Sequence, residues 1–342
     1  MGLFMGVMHP LYCGSQNLLA SARYFMARPR RWFEHLSRQR VLLNFTTNSA
    51  MAFCLRQLER MNAEKLDLTR LHLYFGAEKV SPIVLRQTLD IVRRFSMPPE
   101  HIHVGYGMAE NTLGAAGTLG GAPRIVHAAI AHDNSVEIRP EPSADTVELV
   151  SCGGSYLGVT ITIRDDEDRT VGDLHLGEIS VQSPCVTPGY INNPEATERA
   201  LPEPGRLLTR DLGFLYDGEL FFHARKDDLL IVGGRNIVPD DIEMTVEQLE
   251  FIRQGTTALV GIENSRSGTL ELTLLIESKP ELGPEEFKRR RTQARDVIYD
   301  TYGLLLNHII FCEKNTIEKT SSGKKRRKVI RDRFVKDELT LY

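Results

Sequence analysis

The sequence predicts an α/β chain in two parts: a larger part over residues 1–225 and a small α+β unit over residues 226–342. Three observations lead there. A capped amphipathic helix at 81–95 lies among short apolar strands in the first part. The middle of the chain is rich in β-formers and closes on the hairpin "GFLYDGELFFHA". After the charged stretch "ARKDD", strand, turn, helix, paired strands, helix and strand follow in an order that can fold alone.

Each element has a local reason. In "SPIVLRQTLDIVRRF", Ser81 can cap and Pro82 suits a first helical turn. Leu85, Leu89 and Val92 then recur at helical spacing, with Arg86, Arg93 and Arg94 on the wet side. "HIHVGYGMAENTLGAAG" runs from an apolar strand into a Gly-rich turn, and "VELVSCGG" and "VTITIRD" are β-rich. "LHLGEISVQS" alternates as a half-buried strand does. Asp217-Gly218, between aromatic-rich runs, is a two-residue hairpin turn. Beyond it, "DDLLIVGGRNIVPDDIEMTVEQL" gives a strand, a Gly-Gly turn and a helix from about Pro239, with Ile242, Val246 and Leu249 as its apolar stripe. "TTALVGI", "LELTLLIE", a polar helix over 284–301 and the strand "HIIFC" complete the order.

Composition excludes several classes. The chain is 42% hydrophobic with a formal net charge of −3, so it is not built to coat a polyanion. Five cysteines without a C-x-x-C pair argue against a disulfide framework and for a reducing cytoplasm. Ten histidines without H-E-x-x-H spacing predict no zinc site. No apolar run approaches the ~20 residues of a membrane span. "MGLFMGVMHPLYCG" lacks the basic start of a signal peptide, and position 6 is not the Ser or Thr that myristoylation of Gly2 prefers. "ARYFMARPRRW" reads as a helix with a basic face. "SSGKK" lacks the first glycine and the hydroxyl residue of a phosphate-binding P-loop.

Four ordered stretches together resemble the adenylate-forming superfamily of acyl-CoA synthetases, luciferases and peptide-synthetase adenylation domains. "GYGMAE" resembles its Tyr-Gly-x-Thr-Glu motif and "LLTRDLGFL" its Thr-Gly-Asp motif. "ARKDDLLIVGGRNIVPDDIE" resembles its Gly-Arg hinge segment, and "EKTSSGKKRR" its terminal Lys-Thr-x-Ser-Gly-Lys motif. The fatty acyl-AMP ligase branch is the nearest likeness. It is carried by "GMAENT", by "RDLGFLYDGELFF" with "GGRNIVPDDIE", and by an insertion-like segment over 118–151 that ends in Val-Ser-Cys-Gly. The resemblance covers essentially the whole chain. It implies the C-terminal part of a large adenylate-forming, AMP-binding domain over 1–225 and a small mobile α+β lid domain over 226–342.

The resemblance also implies roles. Tyr106, with Gly107 and Met108, would stack on adenine, and Gly76, Ala77 and Glu78 would form a turn at the nucleotide. Asp211 would accept from the ribose hydroxyls, and Arg225 would reach ribose or phosphate. Glu110 would hold magnesium, Asp227 would sit at the hinge, and Asn48 would line the acyl tunnel. Lys324 would be the catalytic lysine, bridging carboxylate and α-phosphate as a flexible point charge. Taken alone, Tyr106 also reads as a turn-packing ring, Glu110 as a capping or surface residue, and Asp211 as a turn former. Lys325, Arg326, Arg327 and Lys328 read as a solvated helical face, so their removal is expected to cost little. No aromatics interleave with them, which argues against nucleic acid.

Departures stand beside the likeness. Arg210 replaces the glycine of Thr-Gly-Asp, Ala224 the glycine before Arg225, and Glu318 the proline before Lys319. The Ser/Thr/Gly-rich loop that holds the β- and γ-phosphates in this superfamily has no counterpart, as in a fragment, an internal gene start or a degenerate relative. The implied reaction uses ATP and magnesium to turn a fatty acid into acyl-AMP, then passes the acyl group to the phosphopantetheine of an acyl carrier protein. A coenzyme A ligase and a non-catalytic AMP- or carrier-binding protein are the rivals.

Overall fold

The structure, a computed structural model, describes residues 1–62, 66–118, 120–143, 145–232, 235–263, 269–279, 282–320 and 325–342. The chain divides into two compact units. One comprises Met1–Pro142 and Thr146–His223, the other Ser143–Asp145 and Ala224–Tyr342.

In the first unit the strands Leu43–Thr46, His72–Phe75 and Ile102–Gly107 lie side by side and parallel, with Thr46 opposite Phe75 and Phe75 opposite Val104. Parallel neighbours need crossover connections. Here these carry the helices Asn48–Leu58 and Pro82–Arg93. Thr47 caps the first helix by accepting from the Ala50 N–H at 3.2 Å. Ser81 accepts from Val84 at 3.5 Å at the start of the second. Leu85 and Val92 are buried as their spacing predicts, while Arg86 pairs at the surface with Glu148 (2.8 Å). The Gly-rich turn expected after Ile102–Gly107 contains a further strand, Gly114–Gly117, which pairs antiparallel with it and extends the sheet.

Two more sheets complete this unit. Val136–Arg139, Ile125–Ile130 and Thr146–Val150 form an antiparallel trio. Thr160–Arg164, Gly177–Gln182, Arg206–Tyr216 and Glu219–Arg225 are neighbours in a five-stranded sheet. The hairpin between the last two turns at Asp217 and Gly218, with φ of 55° and 75°, the positive pair a type I′ turn requires. Gly177–Gln182 departs from its half-buried reading. Ile179, Ser180 and Val181 are all buried, because this central strand is covered on both faces.

"ARYFMARPRRW" is two helices, Ala22–Ala27 and Pro29–Arg38, rather than one. Pro29 disfavours helical geometry at the residue before it, and Arg28 sits at φ −145°.

The second unit packs the helices Pro239–Val246 and Pro284–Tyr302 on a sheet of Thr257–Glu263, Leu270–Glu277 and His308–Cys312. Helix Arg327–Val335 closes it through Ile330, which is fully buried with Val260 and Leu275. The basic run corrects the sequence reading here. Lys325 and Arg327 are not a solvated face. Glu243 is fully buried and takes Lys325 Nζ at 2.6 Å and Arg327 Nη2 at 2.8 Å. It also accepts from the Leu259 N–H at 2.7 Å. Glu247 takes Lys325 at 3.2 Å, and Arg327 reaches Asp240 and, at 3.7 Å, Asp228. Burial opposes the charge on both cations, but Glu243 and its neighbours outweigh it and hold both pKa values above their ordinary range. Arg326 and Lys328 do face solvent, Arg326 in a surface pair with Glu318 (3.3 Å).

Breaking a buried pair strands a charge, typically at ~3–5 kcal/mol, whereas changes at exposed sites stay within about 0.5 kcal/mol. Arg327→Ala is therefore expected to lower unfolding free energy by about 3 kcal/mol, and Arg326→Ala and Lys328→Ala to leave it nearly unchanged. Denaturant melts check this, and equal losses in the three variants would refute the buried network.

A histidine stack sits on the strands of the parallel sheet. His72 packs on His101 with ring centroids 3.9 Å apart, and His72 and His103 share a 2.9 Å hydrogen bond. Burial, reinforced by neighbouring histidines, lowers the pKa of His72 and His103 below 6.5. Just below that value the unfolded chain binds protons that the folded chain refuses, so stability falls as pH drops. Thermal melts from neutral pH downward are expected to show Tm declining below pH 6.5. His103→Gln should make that decline shallower, the remainder coming from His223, whose pKa burial lowers to about 3, and a decline of the same slope in the variant would exclude the stack as a contributor.

Candidate functional site

The C-terminal ends of three parallel strands bring together segments far apart in sequence. Thr47-Asn48 follows the first strand, Gly76–Glu78 the second, and Tyr106–Met108 closes the third. The crevice outside such strand ends is where open α/β sheets bind ligands. The Gly76 N–H donates to Thr46 O at 3.1 Å, locking the turn to the first strand. Ala77 takes φ 70°, a left-handed residue in the middle of that turn. Glu78 Oε2 accepts from the Ser49 N–H at 2.9 Å, and Asn48 Oδ1 accepts from Ser81 N–H at 2.9 Å. Each helix start is thus held by the other connection, and Asn48 serves here as a clamp. Among the described residues the second Glu78 oxygen is buried without a hydrogen-bond partner.

Tyr106 is buried, and its hydroxyl donates to Asp211 Oδ2 at 2.7 Å, across 105 residues of sequence. Burial and the adjacent Asp211 carboxylate push the phenol well above its usual pKa, so the proton stays on the tyrosine. Phe222 stacks on the Tyr106 ring with centroids 6.1 Å apart. Gly107 has no substitute. A Cβ there would lie 1.9 Å from the Leu113 carbonyl oxygen. Met108 begins a tight turn over Ala109–Asn111.

Asp211 reaches Tyr106 because its strand bulges. Glu178 pairs with Leu212 and Ser180 with Leu208, so Thr209, Arg210 and Asp211 share the space opposite Ile179 alone. Arg210 sits at φ 58°, the region glycine enters freely, which gives the physical reason for a glycine in the motif this segment resembles. Three bonds hold the bulge. The Arg210 N–H donates to Glu178 (2.9 Å), Thr209 Oγ1 donates to Ile179 O (2.7 Å), and the Asp211 N–H donates to Thr209 Oγ1 (3.1 Å).

Glu110 is partly exposed, and its Oε1 accepts from the Tyr190 hydroxyl at 2.9 Å. Its carbonyl accepts from the Thr187 N–H at 2.7 Å. Among the described residues no group of three His, Cys, Asp or Glu could hold a metal alone. One carboxylate does fit magnesium, which takes most of its ligands from phosphate and water. Tyr190 and Phe222 escaped the sequence reading, and Thr209 entered it only as the threonine of the motif, without its part in holding the strand. Only Phe222 left a signal, its place in the aromatic alternation of the hairpin.

Arg225 and Asp227 belong to the second unit and are exposed. Asp227 lies in the turn Lys226–Asp228. Lys324, with Ser321, Ser322 and Gly323, lies outside the described residues, as do Gly233 and Gly234 of the expected turn.

The pattern of AMP-binding enzymes matches residues 1–191. The chain belongs to the AMP-binding enzyme family. Among relatives of this family, fadD25 of Mycobacterium tuberculosis, provisionally named a fatty-acid–CoA ligase, is 31% identical over 99% of this chain and 60% of its own length. The long-chain-fatty-acid–AMP ligase FadD26 of the same species is 28% identical over 98% of the chain and 60% of its own. A chain solved in work on fatty acyl-adenylate ligases of E. coli and L. pneumophila superposes with TM-score 0.89 at 23% identity, covering 99% of this chain and 61% of that one. The fatty acid AMP ligase of Legionella pneumophila gives TM-score 0.64 at 27% identity, over 100% and 61%. The α/β fold is therefore that of AMP-binding enzymes, and the chain spans about 60% of the length of these relatives. Among the described residues no helix is long and apolar enough to cross a membrane.

Removing the Tyr106 hydroxyl leaves Asp211 short of a donor, a loss of about 1–3 kcal/mol. Tyr106→Phe is expected to lower stability by that amount, and Gly107→Ala to lower it further, since backbone must move. Calorimetric melts check the order, and a Gly107→Ala variant as stable as the parent would refute the close approach.

Proposed function

We propose that the chain is part of a ligase that activates a fatty acid as its adenylate and passes the acyl group to the phosphopantetheine of an acyl carrier protein. The observation that carries this reading is the Tyr106–Asp211 hydrogen bond at the strand ends, which places a π-face and a carboxylate side by side. An adenosine presents a flat base and two ribose hydroxyls to such a pair. The fatty-acid ligases among the relatives support the substrate class.

In this reading residues 1–225 form the AMP-binding part and 226–342 the lid, with Asp227 at the hinge. Tyr106 lies against adenine, and Gly76–Glu78 lets backbone approach the nucleotide. Asp211 accepts from the ribose hydroxyls, held in direction by Tyr106 and by the bulge, and Arg225 adds a cation near ribose or phosphate. Glu110 would hold magnesium, whose chemistry when bound is to neutralise phosphate charge. Lys324 brings an ammonium to the carboxylate and α-phosphate, two anions that must meet for acyl-AMP to form. Exclusion of water strengthens that attraction and protects the adenylate from hydrolysis.

A coenzyme A acceptor is the second reading, favoured by the name carried by fadD25. Supplying coenzyme A and holo carrier protein in turn separates the two.

Losing a hydrogen bond to a charged group costs about 1.5–3 kcal/mol, roughly a ten- to hundredfold change. Asp211→Asn is expected to weaken binding of an acyl-adenylate analogue by that factor in titration calorimetry. Lys324→Ala should leave analogue binding within a few-fold and reduce pyrophosphate release by ~10²–10³. Undiminished analogue binding by Asp211→Asn would sink the ribose assignment.

A further inference from the structure

One strongly charged surface has no part in the site above. The helices Ala22–Ala27 and Pro29–Arg38, with Arg28 between them, present Arg23, Arg28, Arg30, Arg31 and Arg38 against a single acidic residue, Glu34, in a chain of net charge −3. All five arginines are exposed, as is Arg56 on the neighbouring helix Asn48–Leu58. Among the described residues no hydrogen bond or ion pair engages these six side chains.

Their placement opposes local stability. Arg23 lies in the first turn of its helix, Arg30 and Arg31 in the first turn of theirs, and neither turn holds an acid. The helix dipole favours negative charge there by about 0.3–1 kcal/mol per residue. A local rule broken without a compensating contact marks a functional surface.

Between these helices and Asn48–Leu58 lies a cleft of about 340 Å³, lined by Arg28, Arg30 and Arg31 together with Met26, Phe53 and Gln57. Met26 and Phe53 are 55% and 38% exposed, so apolar surface opens between the cations. Helix geometry sets the reach. Phe53 and Gln57 stand about 8 and 14 Å along the helix axis from Asn48. Asn48 is clamped to Ser81, beside the Gly76–Glu78 turn.

We propose that this arginine-rimmed cleft is the docking surface for an acidic protein partner, namely the acyl carrier protein of the proposed reaction. The proposal rests on that reading. Charge complementarity selects an acidic face, and the concave apolar strip accepts a protruding helix or loop. A bilayer takes a continuous amphipathic helix lying flat, whereas these two helices are broken at Pro29 around a concavity. A polynucleotide needs stacking rings along its track. Here Phe25 and Trp32 are packed against the core and against each other, with centroids 6.4 Å apart.

The test titrates a purified acyl carrier protein of negative net charge into the intact chain, at low and at physiological salt. Arg30→Glu/Arg31→Glu is the variant, and it keeps the fold because acids suit a first helical turn. Lys288→Glu/Arg295→Glu, both exposed in the second unit, is the charge-matched control. The double variant is expected to bind about ten- to a hundredfold more weakly at low salt, the parent to weaken as salt rises, and the control to match the parent. Undiminished carrier binding by the double variant overturns the proposal. So does binding of phosphatidylglycerol vesicles, lost in the variant, by a chain that ignores the carrier, which would make the patch a membrane surface. Titration with an acyl-adenylate analogue keeps the two hypotheses apart. If the analogue binds and the carrier does not, the docking surface fails alone. If the carrier binds through these arginines and the analogue does not, the surface stands and the ligase reading fails.

Discussion

The candidate site depends on one backbone irregularity, the bulge at Thr209–Asp211. A regular strand would alternate its side chains without exception, and a slip of one residue turns each to the other face. Placing extra residues opposite Ile179 aims Asp211 at the Tyr106 hydroxyl. The left-handed conformation at Arg210 opposes this by roughly 1–2 kcal/mol relative to a relaxed non-glycine residue. Glu178 and Thr209 offset that cost by engaging the bulged N–H groups. Arg210 is therefore tolerated where the motif it resembles has glycine, because the bulge is fixed from the neighbouring strand as well as by its own torsion angles.

The second unit depends on a different constraint, a buried carboxylate that must be satisfied. Glu243 is fully buried and meets two cations and one backbone N–H. Its partners lie 82 and 84 residues away in sequence. They tie the last helix, and Lys325 just before it, to the helix Pro239–Val246. Lys319 and Lys325 also pair as a backbone bridge, so both flanks of 320–324 are fixed to the same scaffold. Burial, and then the nearby Lys325, lower the pKa of Lys319 and outweigh the opposing charges of Glu247 and Glu277.

What the sequence made legible was local. The cap at Ser81, the Asp217-Gly218 turn and the apolar stripe of Ile242 and Val246 are each decided within a few residues. Their physics operates over one turn or one strand, so single-sequence reasoning reaches them. The motif stretches also located Tyr106 and Asp211, but not the bond between them, since nothing in "LLTRDLGFL" announces that the strand bulges. Tyr190 as a partner of Glu110 was invisible for the same reason. The misreading of Lys325 and Arg327 has a sharper cause. A run of cations looks solvated when its carboxylates are distant in sequence, and helical periodicity tells which residues share a face but not what covers it.

The positive charge of the chain thus falls into three physical classes that composition merges. Lys325 and Arg327 are buried, paired and structural. Arg326 and Arg333 share Glu318 at the surface, where screening leaves each pair worth well under about 1 kcal/mol. Arg30 and Arg31 have no partner among the described residues and stand where the helix dipole disfavours them. Only the third class stores unspent electrostatic free energy, because its charges are hydrated but uncompensated by protein. An acidic partner releases it by replacing water and counterions around several arginines at once, and the apolar strip between them adds affinity that salt does not screen. Among these three classes, a protein surface that recognises acidic partners is therefore to be sought among the unpaired arginines near the N-terminal helices, and not in the more conspicuous basic run at the other end of the chain.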